Sequence, residues 1–265
     1  MKLPSVKQAF FIHFGISLII FIALAAIMRL VWYPGDLFTM DGGVQGLKII
    51  APIDLVLGPA LTLGFYRPWK KSLKFDMAAI ACVQIAALGY GVYATYQQRP
   101  AAIVFAENRF ETLSYSEYKS ASRQLTENDI EPRKLSEFGS RMPIMVHAKS
   151  FTEDGGYGQY LADILNGLPE LRERSDRYTA LPAARLDIAE FRINTRDDGT
   201  TLAVGEDTDS TIEIPASSKS ADTTQADSQE ARNTTAEIYP LKARYTDGTI
   251  EFDPQSFNWI KIKSN

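Results

Sequence analysis

The sequence contains very few of the residues that usually perform metal or nucleophilic chemistry. Among its 265 residues there are one cysteine, Cys82, and two histidines, His13 and His147. Cys82 and His13 lie in apolar stretches, so the polar C-terminal part has no thiol and a single imidazole. That part can form neither an internal disulfide nor a cysteine-type zinc site, and it has too few histidines for a histidine metal cluster. The same scarcity argues against a Ser-His-Asp arrangement, and no glycine-rich phosphate loop or G-x-S-x-G motif is present.

Acidic charge is scarce in the first third of the chain. Residues 1–96 contain eight Lys and Arg against four Asp and Glu, a net charge of +4, whereas residues 97–265 contain twenty against twenty-eight, a net charge of −8. A basic, apolar part followed by an acidic, polar part indicates a membrane anchor joined to a water-exposed domain. The acidic part also argues against nucleic acid as a partner, because phosphate binding needs a basic surface.

Three apolar stretches predict transmembrane helices, at about residues 9–32, 47–66 and 75–96. Each is close to the ~20 residues that cross a hydrocarbon core of ~30 Å. A signal peptide is the competing interpretation of the first stretch, but its apolar run is long and no A-x-A site follows Leu30. We therefore predict a three-span anchor over residues 1–98, followed by an α+β domain over residues 99–265.

The distribution of basic residues predicts the orientation. Lys2 and Lys7 precede the first span, and the basic segment "RPWKKSLK" joins spans two and three, whereas the first connection carries Asp36 and Asp41. The positive-inside rule then places the N-terminus and "RPWKKSLK" in the cytoplasm, where the segment would touch anionic lipid. Three crossings put the acidic C-terminal domain on the outer side of the membrane.

The second span contains an unusual stretch, "APIDLVLGPALTL", with Pro52, Asp54, Gly58 and Pro59. A charged Asp at the centre of a bilayer costs about 2.5–3.5 kcal/mol on insertion scales. Gln84 of the third span reaches a similar depth, so a hydrogen bond between the two side chains is expected. The two prolines cannot donate helix hydrogen bonds, which predicts a kink around Gly58 and Pro59.

Asp54, Gly58, Pro59 and Gln84 are therefore the candidate site, and three interpretations of it stay open. They form a structural clasp between two spans, a contact site for a partner helix, or a proton relay. The relay has the weakest basis, because no second intramembrane carboxylate accompanies Asp54.

The third span also carries small residues four positions apart. These are Ala78, Cys82 and Ala86, and Ala87 with Gly91 forms a second pair. Small residues let transmembrane helices approach closely. This face either packs against the other two spans or receives the helix of a partner.

The C-terminal part shows alternating strand and helix patterns that predict an α+β fold. "AAIVFA", "RFETLS" and "RMPIMVHA" resemble strands, and "SYSEYKSASRQL" and "YGQYLADILNGLPELRER" have helical patterns. The last segment indicates two or three further strands, with Asp247-Gly248 as a hairpin-turn signal. Residues from about 205 to 236 are rich in Ser, Thr, Asp and Ala and have no aromatic, so a flexible loop is predicted there.

The sequence resembles the type IV pilin accessory proteins of the TfpX/TfpZ kind. The resemblance lies in "IDLVLGPALTL", "RPWKKSLKFDMAAIACVQIAALGYGVY" and "RPAAIVFAENRFETLS", with a weaker echo in "YPLKARYTDGTIEFD". It implies an inner-membrane accessory factor that contacts type IV pilin and assists pilus assembly or function. Other pilus assembly proteins are further candidate partners. It implies no enzymatic activity, and we expect no cofactor and no metal. The alternative is a membrane enzyme that modifies pilin by glycosyl or acyl transfer.

Overall fold

The computed structural model describes residues 4–140, 142–151, 156–181, 188–195, 201–203, 236–253, 256 and 259–264. The chain divides into two compact units. The first comprises Met1–Pro100 with Ser114–Ser116, and the second comprises Ala101–Leu113 with Glu117–Asn265. Apart from residue 236, the predicted flexible segment at about 205–236 lies outside the described residues.

Three helices of the first unit are long and apolar enough to cross a membrane: Val6–Trp32 (span 1), Gly43–Phe65 (span 2) and Leu73–Gln98 (span 3). Span 1 consists of α1 (Val6–Ile27) and a π-helical end at Met28–Trp32. A short helix, α2 (Leu37–Met40), precedes span 2, and span 3 is the single helix α5 (Leu73–Gln98). Ser5 and Gln8 form a reciprocal capping box that satisfies backbone N–H groups at the start of α1.

Span 2 changes its helical geometry midway. It comprises α3 (Gly43–Ala51), a π-helical segment at Pro52–Leu57 and α4 (Gly58–Phe65). The irregularity thus precedes the predicted position at Gly58-Pro59 instead of being centred on it. The physical reason is that a proline lacks an N–H, and the wider turn re-pairs neighbouring groups, so Gly58 N donates to the carbonyl of Ile53.

Apolar packing near both ends holds the three spans together. Near one end, a cluster of Leu24, Met28, Tyr33 and Ile50 draws on all three helices through neighbours that include Leu88. Near the other end, Ala9, Tyr66 and Leu73 form a second cluster. Large apolar side chains on the outward faces remain exposed, as expected for surfaces that meet lipid tails.

The second unit is built on a seven-stranded mixed sheet in the order β4-β3-β1-β2-β7-β8-β9. Its strands are β1 (Pro100–Ala106), β2 (Arg109–Ser114), β3 (Ile144–Ala148), β4 (Tyr178–Ala180), β7 (Glu237–Lys242), β8 (Gly248–Phe252) and β9 (Trp259–Ser264). A separate two-stranded ladder joins β5 (Ile193–Thr195) and β6 (Thr201–Ala203). β1 pairs in parallel with β3, and β2 pairs in parallel with β7, whereas β3–β4, β7–β8 and β8–β9 are antiparallel.

In the described part of this α+β region there are two α-helices, α6 (Tyr115–Glu127) and α7 (Tyr157–Leu165), besides short 3₁₀ turns. The core of the unit is aromatic: Phe110 contacts Phe105, Tyr239 and Phe252 with ring centroids 5.0–5.7 Å apart. Three membrane-length apolar helices followed by an α+β region with a mixed sheet confirm the predicted fold class.

One local prediction was wrong, and a second was confirmed with a longer connection than two residues. The predicted helix "YGQYLADILNGLPELRER" ends at Leu165, because Gly167 adopts a positive φ of 84° and Pro169 follows, so Leu168 lies beyond the helix. The hairpin predicted from Asp247-Gly248 is confirmed, because β7 and β8 are consecutive antiparallel strands. Gly248 already pairs with Leu241 in the β7–β8 ladder, and residues 243–247 make the connection.

Candidate functional site

The structure brings Asp54 and Gln84 into direct contact inside the first unit. The Asp54 side chain is buried, with 1% of the residue exposed. Gln84 Nε2 donates to Asp54 Oδ1 at 3.0 Å, which is the hydrogen bond expected from the matching depths of the two residues. Asp54 therefore links spans 2 and 3 through a side chain that the sequence pattern identifies.

Span 1 completes this polar cluster with two residues that sequence reasoning missed. Ser17 Oγ donates to Asp54 Oδ1 at 3.2 Å and accepts from Gln84 Nε2 at 3.2 Å. His13 Nε2 lies 2.8 Å from Gln84 Oε1, which can only accept, so the imidazole donates there. His13 Nδ1 lies 2.5 Å from the hydroxyl of Thr62 in span 2. His13 thus touches both other spans.

We name His13, Ser17, Asp54, Thr62 and Gln84 the intramembrane polar cluster. A sequence signal for it existed: His13 and Ser17 are four residues apart in span 1, and Asp54 and Thr62 are eight apart in span 2. Residues at those spacings lie on one face of a helix. Polar side chains on one face of an otherwise apolar helix indicate an inward-facing network.

Gly58 and Pro59 lie beside the same cluster. Both residues are buried, and a Cβ at Gly58 would come within 2.6 Å of Gln84 Cδ, so glycine makes room for the amide. Pro59 removes the N–H that would reach the carbonyl of Asp54 in the π-helical register. Gln84 Nε2 approaches that carbonyl at 3.5 Å. All four predicted site residues therefore meet at one place.

The cluster is a set of side-chain hydrogen bonds that join the three helices. Asp54 Oδ1 accepts two hydrogen bonds, whereas Asp54 Oδ2 is buried and has no hydrogen-bond partner among the described residues. Thr62 Oγ1 donates to the carbonyl of Gly58 at 3.2 Å, and the same hydroxyl contacts His13 Nδ1. In the described parts of the chain no group of three or more His, Cys, Asp or Glu is placed to hold a metal ion.

The small residues of span 3 point in two directions. Ala78, Cys82 and Ala86 are exposed, so they do not pack against the other two spans. Gly91 is buried, and a Cβ there would lie 3.1 Å from Ile50 Cγ1 of span 2. Gly91 of the second pair therefore serves packing within the unit. Ala78, Cys82 and Ala86 leave an exposed face, which we name the small-residue stripe.

The second unit contains networks of charged residues that are paired internally. Arg174, whose side chain is 5% exposed, bonds Asp163 at 2.9 Å and Asp176 at 3.0 Å. Burial acts to raise the pKa of Asp163, but the hydrogen bonds from Arg174 and Gln159 outweigh it and the pKa is lowered.

A charged cleft of about 240 Å³ surrounds Arg172. It is lined by Glu111, Thr112, Glu117, Glu170, Arg172, Lys242, Ala243 and Arg244. Arg172 lies 3.0 Å from Glu173 and 3.4 Å from Glu117, and Arg244 lies 3.3 Å from Glu117. Burial raises the pKa of Glu173, against the opposing charge of Arg172. The arginines of the cleft therefore pair with glutamates of the same unit.

Comparison with known proteins finds three relatives, all from Dichelobacter nodosus. The fimbrial assembly protein of serogroup E1 is 35% identical over 105 residues, which are 39% of this chain and 41% of the relative. That of serogroup I is 36% identical over 105 residues, with the same two shares. That of serogroups C1 and C2 is 35% identical over 105 residues, 39% of this chain and 80% of the relative. No family model and no solved structure matches the chain.

The three apolar helices, their shared polar cluster and the following mixed sheet define a multispan membrane protein that carries an α+β domain. The chain spans about two fifths of the length of the first two relatives and four fifths of the third. It belongs to the family of these fimbrial assembly proteins.

Proposed function

We propose that this protein is an accessory factor of type IV pilus biogenesis, of the TfpX/TfpZ kind, that contacts pilin without modifying it. The observation that carries the proposal is the similarity to three proteins named for fimbrial assembly, in a chain with three membrane-length helices. The proposed location is the bacterial inner membrane, with the N-terminus in the cytoplasm and the α+β unit in the periplasm.

The proposed contact with pilin is between helices. A pilin is a single membrane helix with a globular head, so a protein that handles it needs an open face within the bilayer. The small-residue stripe of Ala78, Cys82 and Ala86 is exposed and its own side chains are small, which supports it as the place where a helix could approach closely.

The polar cluster supports this role indirectly. Asp54, Gly58 and Pro59 are buried, so a partner helix would meet the surface whose shape these residues set. Gln84 lies on the same helix as the stripe and bonds to spans 1 and 2, so it fixes the rotation of span 3. The four predicted site residues would then act as positioning residues for the pilin-facing surface.

Deletion of the gene tests the accessory role. Surface pili and total pilin are measured in the deletion strain and after complementation, and the mass of pilin is determined in parallel. We expect fewer surface pili with pilin of unchanged mass. A shift in pilin mass would contradict the proposal and favour the glycosyl or acyl transferase.

Cys82 offers a direct test of the helix contact, because it is exposed and is the only cysteine of the chain. Single cysteines along the pilin helix are oxidised in membranes with this protein. A Cys82→Ser variant that carries Val83→Cys is the matched control, since Val83 is 60% exposed on another side of the same helix. We expect disulfide cross-links from Cys82 and few from position 83. Equal yields, or none from Cys82 in a strain that makes pili, would overturn the contact.

Fusions to alkaline phosphatase, which is active only in the periplasm, test the orientation. A fusion after Arg99 should be active and one after Lys71 inactive, because the basic segment between spans 2 and 3 retains its loop in the cytoplasm. Activity of the second fusion with inactivity of the first would reverse the assignment.

A further inference from the structure

One end of the three-span unit gathers basic residues that the sequence keeps apart. The connection between spans 2 and 3 runs over residues 66–72, and the start of span 1 packs beside it. Tyr66 Oη donates to the carbonyl of Pro4 at 3.1 Å, and Ala9 packs with Tyr66 and Leu73. This packing brings the first turn of span 1, including Lys7, to the connecting loop.

The charge at this end is strongly positive. Among the described residues, its ionisable side chains apart from tyrosine are Lys7, Arg67, Lys70, Lys71, Lys74 and Asp76. Five cations against one carboxylate give a net charge of +4. Asp76 is already bound to Lys70 at 2.5 Å, so it does not neutralise the others. Lys7, Lys71 and Lys74 are exposed, and no hydrogen bond or ion pair occupies their side chains among the described residues.

Aromatic rings project from the same end. Trp69 is 78% exposed, Phe75 is 76% exposed and Phe65 is 54% exposed. In water such exposure of large rings is unfavourable, but at a membrane–water boundary the rings enter the headgroup region. Lysines beside interfacial aromatics are placed to meet lipid phosphates, and their attraction falls off within a Debye length of the surface.

We propose that Lys7, Arg67, Lys71 and Lys74, together with Trp69, form a binding surface for the headgroups of anionic phospholipids, which we name the basic end. The partner class follows from two observations together. The cations are not neutralised, and the exposed rings fix the depth of the loop at the bilayer boundary. A soluble acidic partner would need only the unneutralised cations and would not account for the exposed rings. The surface selects anionic over zwitterionic lipid around the loop.

Trp69 provides the probe. The full-length Trp32→Phe/Trp259→Phe variant retains Trp69 as its only tryptophan, since the chain has three. It is reconstituted into phosphatidylcholine bilayers that contain brominated phosphatidylglycerol or, at the same mole fraction, brominated phosphatidylcholine. Quenching of Trp69 by the two lipids then reports their local concentrations. Both leaflets have one composition, so the direction of insertion does not affect the result.

We expect stronger quenching by brominated phosphatidylglycerol, and a loss of this preference in high salt. Each Lys or Arg near an anionic surface raises the affinity for that surface roughly fivefold. Combined Lys7→Gln, Lys71→Gln and Lys74→Gln changes should therefore bring the ratio of the two quenching values close to one. The matched control replaces three exposed lysines of the second unit by glutamine, Lys119, Lys134 and Lys261, and should retain the preference.

Equal quenching by the two lipids in the parent variant would overturn the proposal. So would quenching by neither lipid, because the loop would then not reach the bilayer. A preference that survives the triple change at the basic end would overturn the assignment to these lysines. Phosphatidylglycerol that co-purifies with each variant, counted by mass spectrometry, gives an independent readout of the same ratio.

Discussion

Replacement of Asp54 by leucine should weaken the assembly of the three spans without preventing their insertion. Leucine removes the acceptor for Ser17 Oγ at 3.2 Å and for Gln84 Nε2 at 3.0 Å. Hydrogen bonds between membrane helices average ~0.6 kcal/mol and reach ~1.7 kcal/mol. The loss of two such bonds is therefore expected to lower the free energy of unfolding by about 1–3 kcal/mol. Insertion itself becomes easier, since a central aspartate costs about 2.5–3.5 kcal/mol.

The Asp54→Asn variant separates hydrogen bonding from charge. Asparagine retains an oxygen that accepts from Ser17 and Gln84, so both bonds to this side chain can still form. The expected order of stability is wild type, then Asn, then Leu, with the Asn variant losing no more than about half of what the Leu variant loses. In the complemented deletion strain, the Asn variant should restore most of the surface pili.

The assay is equilibrium unfolding of the purified full-length protein in mixed micelles, in which the fraction of SDS is raised and circular dichroism is followed. Val56→Leu is the matched control, because Val56 lies in the same π-helical segment but is 64% exposed. Complementation of the deletion strain, with protein level and surface pili measured together, gives the functional readout.

Two outcomes would refute this reasoning. A Leu variant as stable as the wild type would mean that the bonds to Asp54 contribute nothing to the helix assembly. An Asn variant as impaired as the Leu variant, at equal protein level, would mean that the ionisable proton of Asp54 matters and would strengthen the relay interpretation.

Further predictions concern a glycine and a buried ion pair. Gly58→Ala should displace the amide of Gln84 and cost about 1–2 kcal/mol in the same unfolding assay, whereas Gly64→Ala, with open space around it, should be neutral or stabilising; equal effects would contradict the tight contact. Asp163→Asn should lower stability near pH 7 by about 1–3 kcal/mol, because the carboxylate bonds the buried Arg174. Because the pKa of Asp163 is lowered in the folded state, its contribution to stability is present above pH 3.8 and is lost as the pH falls through the lowered pKa. Acid titration of the unfolding free energy should therefore show the stability difference between variant and wild type narrowing only below pH 3.8.

The sequence by itself determined the membrane part and one contact within it. Hydropathy is a property of consecutive residues, so the three spans could be predicted to within a few residues at each end. The expected bond between Asp54 and Gln84 followed from depth alone, because an isolated polar group in hydrocarbon needs a partner at its own level. The strand β1 was also predictable, since all seven of its residues are apolar enough to be fully buried.

Tertiary structure alone decided which polar residues join Asp54. Helical spacing places His13 and Ser17 on one face of span 1, but it does not show which residues of the other spans this face meets. His13 meets Thr62 and Gln84 across 49 and 71 residues of sequence. The rotation of each helix is set by how its side chains pack against two neighbours, and the same packing leaves Ala78 exposed and buries Gly91. The parallel pairings of β1 with β3 and of β2 with β7 likewise join distant segments. A parallel pair requires a long connection, but the length of a connection does not determine which strands pair.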